Sequence, residues 1–236
     1  MVDEDLKRGV AGREQALAAL RQAIRVGDLV PGQRLVEAEL AENIGVTRAS
    51  VRVALMDLTA EGLIERVPHR GARVRSVPLT EAVQITECRM MLEGLCAAKA
   101  AEHGTGEQVA YLTELGERMQ HTAQAGEPLT YSELNSELHR YIQLMSGQDT
   151  ATRLLERLNA QLVRHRFRLA LQPGRPQVSL GQHLAIIAAI RDHDPQRAEQ
   201  AVREHLSSVI STLCAIDGQV TKGEQRGLSG TDETVA

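Results

Sequence analysis

Aromatic side chains are nearly absent: the 236-residue chain has no Trp, one Phe (Phe167) and three Tyr. Functions that stack bases or sugars on aromatic platforms are thereby excluded. Long apolar runs are missing as well, since no stretch reaches the roughly 18 residues that read as a membrane-spanning helix. The opening MVDEDLKRGV carries acids where a secretory leader would have a basic and then an apolar run, so a cytoplasmic protein is expected. Cysteine is scarce, and Cys88, Cys96 and Cys214 are an odd number at no metal-ligand spacing, so they are expected to be small buried hydrophobes. Positive charge is also in deficit: the formal net charge of −4 argues at first sight against a nucleic-acid partner.

What is present is a globular composition, 42% hydrophobic and 25% charged, rich in Ala, Leu, Arg and Glu and therefore inclined to helix. Residues 1–12 and 218–236 are polar and lack sustained apolar periodicity, so both read as loose, flexible tails. Between them the pattern divides near Val77-Pro78, giving domains over 13–77 and 78–217. In the first domain Ala16, Leu17, Leu20 and Ile24 fall at helical spacing, and that helix ends near Gly27. A short helix over Val36–Asn43, a break at Gly45 and a third helix over Thr47–Glu61 make a helix-turn-helix. LIERV and ARVRSV, flanking Pro68-His69-Arg70-Gly71, predict a two-stranded hairpin. The second domain reads as about six helices, near 79–101, 105–124, 129–146, 149–172, 179–193 and 195–216. Thr105 with Gln108 forms a capping-box pattern, and Asp194-Pro195 an N-cap followed by Pro at the first helical position. The expected fold is mainly α: a winged helix-turn-helix domain followed by an antiparallel helical bundle.

The charge deficit hides an asymmetry. Ile44–Arg75 holds six arginines against three acids, a local net of +3 that leaves −7 for the rest. Arg48 and Arg52, four residues apart, project from one face of the third helix, with Thr47 and Ser50 beside them. Arginine can bond bidentately to guanine in the major groove, while hydroxyls and backbone amides hold phosphate. The hairpin tip around His69, Arg70 and Gly71 could enter the adjacent minor groove.

PGQRLVEAELAENIGVTRASVRVALMDLTAEGLIERVPHRGARV resembles the winged-helix domain of the GntR family of bacterial transcription regulators, with its Pro-Gly turn, Gly-Val-Thr-Arg, Glu-Gly-Leu and closing Arg-Gly. The resemblance implies DNA contact by Thr47, Arg48, Ser50 and Arg52, with the wing at His69, Arg70 and Gly71 also reaching the duplex. Val53 departs from the pattern, standing where the family usually has an acid. The remainder resembles the all-helical effector domain called FCD of the FadR branch, and a count of about six helices rather than seven points to the VanR-type subgroup. Many members bind a divalent metal through Asp-x-x-x-His and single histidines on the last two helices. Here the pattern is Asn135-x-x-x-His139, then His183 and His205, an imidazole set suited to zinc or nickel. Asn135 offers a neutral oxygen in place of the usual carboxylate and should weaken the site.

Arg89, in ITECRMMLEG, matches an arginine that in related domains grips a ligand carboxylate; read by itself, it would pair with Glu87, Glu93 or a neighbouring helix. The resemblance implies an organic-acid effector bound through Arg89 and Asn135, and a homodimeric repressor of double-stranded operator DNA with no membrane partner. Two other readings stay open: a metal-free organic-acid sensor, and a metalloenzyme using the histidines, against which no HExxH motif or partnered catalytic carboxylate is visible. RHRFR (Arg164–Arg168) spreads its charge around a helix and predicts a surface or subunit contact.

Overall fold

The structure is a computed structural model and describes residues 2–67 and 71–228, with side chains described over 10–67 and 71–217. Two compact units make up the chain. The first comprises residues up to Val77 together with Glu156–Arg166, and the second Pro78–Leu155 with the residues from Phe167 onward.

In the first unit the elements run α1 (Val2–Val26), β1 (Arg34–Leu35), α2 (Glu37–Ile44), α3 (Arg48–Ala60), β2 (Ile64–Val67) and β3 (Gly71–Val74). Helix α1 buries Ala16, Leu20 and Ile24, four residues apart and hence one stripe, against Val51, Ala54, Leu55 and Leu58 of α3. Two ion pairs bind the same helices at the surface, Arg13–Asp57 at 2.8 Å and Arg21–Glu61 at 2.6 Å. Gly45 ends α2 in the left-handed region (φ 76°), its N–H bonded to the Ala41 carbonyl, and this lets the chain turn within two residues into the Thr47 N-cap of α3. The hairpin pairs Ile64 with Val74 and Val67 with Gly71. A strand not expected from sequence, β1, adds to its other edge, giving the order β1-β3-β2.

The first unit is completed from a distant stretch. Helix α7 (Asp149–Gln161) ends at Leu162, and α8 (Val163–Ala170) follows directly, so the single helix expected over 149–172 is two. Ala160 packs on the apolar cluster of the first unit, and Gln161 Nε2 donates to the Glu61 carbonyl at 3.2 Å. Arg164 donates to Ser76 Oγ (3.4 Å), and buried His165 Nε2 lies 2.8 Å from the Val77 carbonyl. These bonds refine the reading of Arg164–Arg168 as a surface or subunit contact: the break at Leu162 turns Gln161 and His165 onto the end of the winged-helix segment. By contact, 156–166 thereby group with the first unit, although in sequence they lie within the segment expected to be the effector domain.

The second unit is built from α4 (Leu79–His103), α5 (Gly106–Ala125), α6 (Pro128–Met145), α9 (Arg175–Arg191) and α10 (Pro195–Leu228), with the outer parts of α7 and α8. Seven helices therefore follow Val77 among the described residues, which removes the count that pointed to the VanR-type subgroup. Leu112, Leu115, Met119, Leu138, Ile142, Ile186, Ile190 and Leu206 form the core. A Cβ on Gly116 would stand 2.8 Å from Ile187 Cδ1, so this glycine permits the close approach of α5 to α9. Thr105 and Gln108 form the expected capping box. Both chain ends read as loose are helical in backbone over 2–12 and 218–228, continuing α1 and α10 beyond their apolar stripes.

Candidate functional site

Two places carry candidate residues. On α3, Thr47 Oγ1 caps the helix by accepting from the Ser50 amide at 3.1 Å. Ser50 itself is buried, its hydroxyl 3.0 Å from Thr47 Oγ1, so it packs inward with Val51 and Ala54. Arg48 is exposed, whereas Arg52 is held by a two-point pair with Glu37 of α2, with Nη2 2.8 Å from Oε2. Val53 and Met56 are exposed on the same helix. Arg73 pairs across the hairpin with Glu65. Gly71 opens β3 at φ 83°, and His69 and Arg70 lie outside the described residues.

The second place is the interior of the helical unit. His139 on α6, His183 on α9 and His205 on α10 converge, with ring centroids 4.4–5.4 Å apart and one nitrogen from each within 4.8 Å of the others. Each Nδ1 is engaged from outside the trio. His139 Nδ1 lies 2.8 Å from Glu93 Oε2, an ion-pair contact without aligned hydrogen-bond geometry. His183 Nδ1 is 2.9 Å from the Tyr131 hydroxyl, and His205 Nδ1 is 3.1 Å from Gln182 Oε1. The Nε2 atoms are thereby left for the centre, and buried His183 Nε2 has no partner among the described residues. Three imidazoles whose second nitrogens are fixed by an acid, a phenol and an amide match the way proteins orient metal-binding histidines. The residues fit a divalent ion, with His139, His183 and His205 as its holders.

Electrostatics favour the neutral, metal-competent form. Burial pushes His183 well below the usual imidazole range, reinforced by His139 and Arg175; burial does the same to His205, reinforced by His183 and His139. Burial opposes ionisation of Glu93, but Arg89 and His139 outweigh it and bring its carboxyl down to about 2. Metal-stripped protein should accordingly lose stability as pH falls below about 6.5, where the unfolded chain takes up protons that folded His183 and His205 refuse. The Glu93 contribution, complete above about 4.5, is lost only on the way down to about 2. With two protons at stake the slope can approach about 2.7 kcal/mol per pH unit. Thermal melts in EDTA from pH 7.5 to 5.5 check this, and a flat melting temperature would contradict a buried neutral pair.

Of the other expected site residues, Asn135 is half-buried one turn before His139, but the Nδ1 contacts of the trio go to Glu93, Tyr131 and Gln182. Arg89 is buried and bound to Glu93 on its own helix, Nε at 2.9 Å and Nη2 at 2.8 Å. Glu93, Tyr131 and Gln182 escaped the sequence reading as supports of the histidines. The spacing did hold a signal, since Tyr131, Asn135 and His139 recur every four residues on α6 and Glu93 is four residues after Arg89.

A winged helix-turn-helix joined to a helical bundle with an interior histidine centre is the architecture of a DNA-binding regulator with a sensory domain. The chain matches the family model described as "Bacterial regulatory proteins, gntR family" over residues 13–74 and the "FCD domain" over 84–208, and it belongs to the GntR family with an FCD effector domain. It is 28% identical over 201 residues to the HTH-type transcriptional repressor RspR of Escherichia coli K12, covering 85% of this chain and 88% of that protein. With the HTH-type transcriptional repressor NanR of Enterobacter sp. strain 638 it shares 32% over 225 residues, 86% of this chain and 85% of that one. The solved structure of E. coli McbR/YncC has the same fold, with a TM-score of 0.74 at 24% identity, covering 86% of this chain and 97% of that one. The protein is thus a transcription regulator, not an enzyme. Among the described residues no helix is long and apolar enough to cross a membrane.

Proposed function

We propose that this regulator is a cytoplasmic homodimeric repressor whose hold on a near-palindromic operator is set by a small organic acid bound at a divalent metal, zinc or nickel, on His139, His183 and His205. Relatives named as repressors support the sign of regulation. The carrying observation is the trio itself: three imidazoles anchored through Nδ1, with a buried, partnerless Nε2 at His183. A bound ion would supply open coordination positions for an effector carboxylate.

Arg48, Thr47 and, once released by Glu37, Arg52 are the reading groups of α3, with the wing reaching the adjacent groove. Exposed Val53 offers an apolar contact for a thymine methyl. Signal transfer has a physical start at Glu93, which touches His139 and lies on α4, the helix that begins at Leu79 directly after the Val77–Pro78 boundary. A ligand that alters the His139–Glu93 contact in only one of two states would shift their balance. For Arg89 to grip an effector carboxylate, Glu93 would have to give it up. Selection of operator duplexes from a random library, followed by binding titrations with zinc, with EDTA and with small carboxylates, tests the reading. A two-fold-symmetric site bound by two chains, with affinity responsive to metal and acid, is expected. No selected site, or affinity indifferent to both additions, would overturn it. A response to acid in EDTA alone would favour the metal-free sensor.

A further inference from the structure

Arg175 opens α9 and is buried to 8% exposure, yet among the described residues it has no carboxylate partner. Its Nη1 donates to Ser208 Oγ at 2.8 Å and Thr212 Oγ1 at 3.2 Å, both on α10. The Thr212 hydroxyl spends its own proton on the Ser208 carbonyl, so it can only accept from the guanidinium. Nη2, equally buried, has no acceptor among the described residues. The acidic group that acts on it is the Tyr131 phenol, which burial keeps protonated. A guanidinium cannot shed its charge as a buried lysine can, and an unpaired buried charge costs several kcal/mol, roughly.

The position of this charge is informative. Arg175, buried Ser179 and His183 recur every four residues and so share one face of α9. His205, Ser208 and Thr212 share the facing stripe of α10, three and four residues apart. The two stripes form a polar lane between α9 and α10, with imidazoles at one end and, among the described residues, a cation without a carboxylate partner at the other. Gly174, Pro176 and Gln177, the chain neighbours of Arg175, line a surface recess at the start of α9.

We propose that Arg175 is the anion-holding group of the effector site: the carboxylate of a small organic acid bonds to Nη2, while Ser208 and Thr212 hold the guanidinium plane in place. This rests on the reading of the helical unit as an effector domain, but not on the metal. Arg89 is already neutralised by Glu93 through Nε and Nη2, whereas Arg175 faces no carboxylate among the described residues.

The test uses the smallest probes of the class, formate and acetate, against chloride at equal ionic strength, on the full chain in EDTA. At about 0.2 M acetate the wild type should melt about 3 °C higher than in chloride. Arg175→Met should lose that rise and, having exchanged an unpaired buried charge for an apolar chain, should melt in chloride no lower than the wild type. Arg175→Lys, which keeps the charge but not the fork, serves as second variant and should show a reduced rise. No rise in the wild type, or equal rises in wild type and both variants, would overturn the proposal. Zinc titrations run in parallel separate the two readings: loss of zinc binding with the acetate response intact would sink the metal and leave Arg175 standing.

Discussion

Replacing His183 with alanine is expected to abolish stoichiometric zinc binding while leaving the metal-free fold intact. In the metal-free protein the imidazole is a buried base whose Nε2 has no hydrogen-bond partner among the described residues and whose charged form burial disfavours. Removing it relieves one unsatisfied atom but orphans the buried Tyr131 hydroxyl and opens a cavity, so in EDTA the folded protein should melt lower by about 5–10 °C. The metal-loaded state loses one of three imidazole ligands, a larger loss than that of an outer-shell partner, which alone typically costs about 10–100-fold in affinity. Glu93→Gln provides the graded comparison: it removes the negative charge facing His139 Nδ1 and should weaken zinc within that 10–100-fold range, roughly. Metal analysis and zinc titration by calorimetry read both variants. One zinc per chain in His183→Ala, bound as tightly as in wild type, would remove the trio from any metal role, whereas collapse of the fold in EDTA would assign His183 to structure instead.

Arg48→Ala is expected to weaken binding to the selected operator by about 5- to 150-fold, corresponding to about 1–3 kcal/mol, with a smaller effect on unrelated duplex. Arg48 is exposed at the first turn of α3 and needs to give up little on binding. Arg52 begins from a bidentate pair with Glu37, with side chains 61% and 31% exposed. Pairs that exposed are worth about 1 kcal/mol or less, so a guanine or phosphate can displace Glu37. Arg52→Ala should therefore cost somewhat less than Arg48→Ala, by the energy of the pair it no longer has to break. Fluorescence anisotropy over a range of salt concentrations distinguishes base from phosphate contact: a phosphate-binding arginine lowers the salt slope by about one, and a base-reading arginine lowers discrimination between sites. Unchanged affinity and discrimination in both variants would remove α3 as the reading helix.

Much of this was legible in local pattern. The four-residue recurrence of Ala16, Leu20 and Ile24, the Gly45 break and the Thr105–Gln108 capping box each rest on interactions within a few residues, and each is found in the structure. Ser50, expected beside Arg48 to face DNA, is buried, since 50, 54 and 58 recur every four residues on the inward face. The short strand β1 has only two residues and no alternation to detect. The break at Leu162 carries neither Pro nor Gly to mark it, and the partners of the flanking Gln161 and His165, the Glu61 and Val77 carbonyls, lie far off in sequence. The histidine trio was found as a set, but its supports were not, because Glu93 and Gln182 acquire their roles only when α4, α6, α9 and α10 are packed together. Arg175 stayed hidden because a missing partner leaves no mark in a sequence.

The stretch 156–166 also bears on how the chain is made. Because it completes the unit that begins the chain, the DNA-binding part cannot reach its full set of contacts until synthesis has passed residue 166, after α4, α5 and α6 have left the ribosome. The order of translation and the order of completion therefore differ. A nascent chain from which Val77 but not yet Gln161 has emerged would present Glu61 and Val77 carbonyls still lacking their side-chain donors.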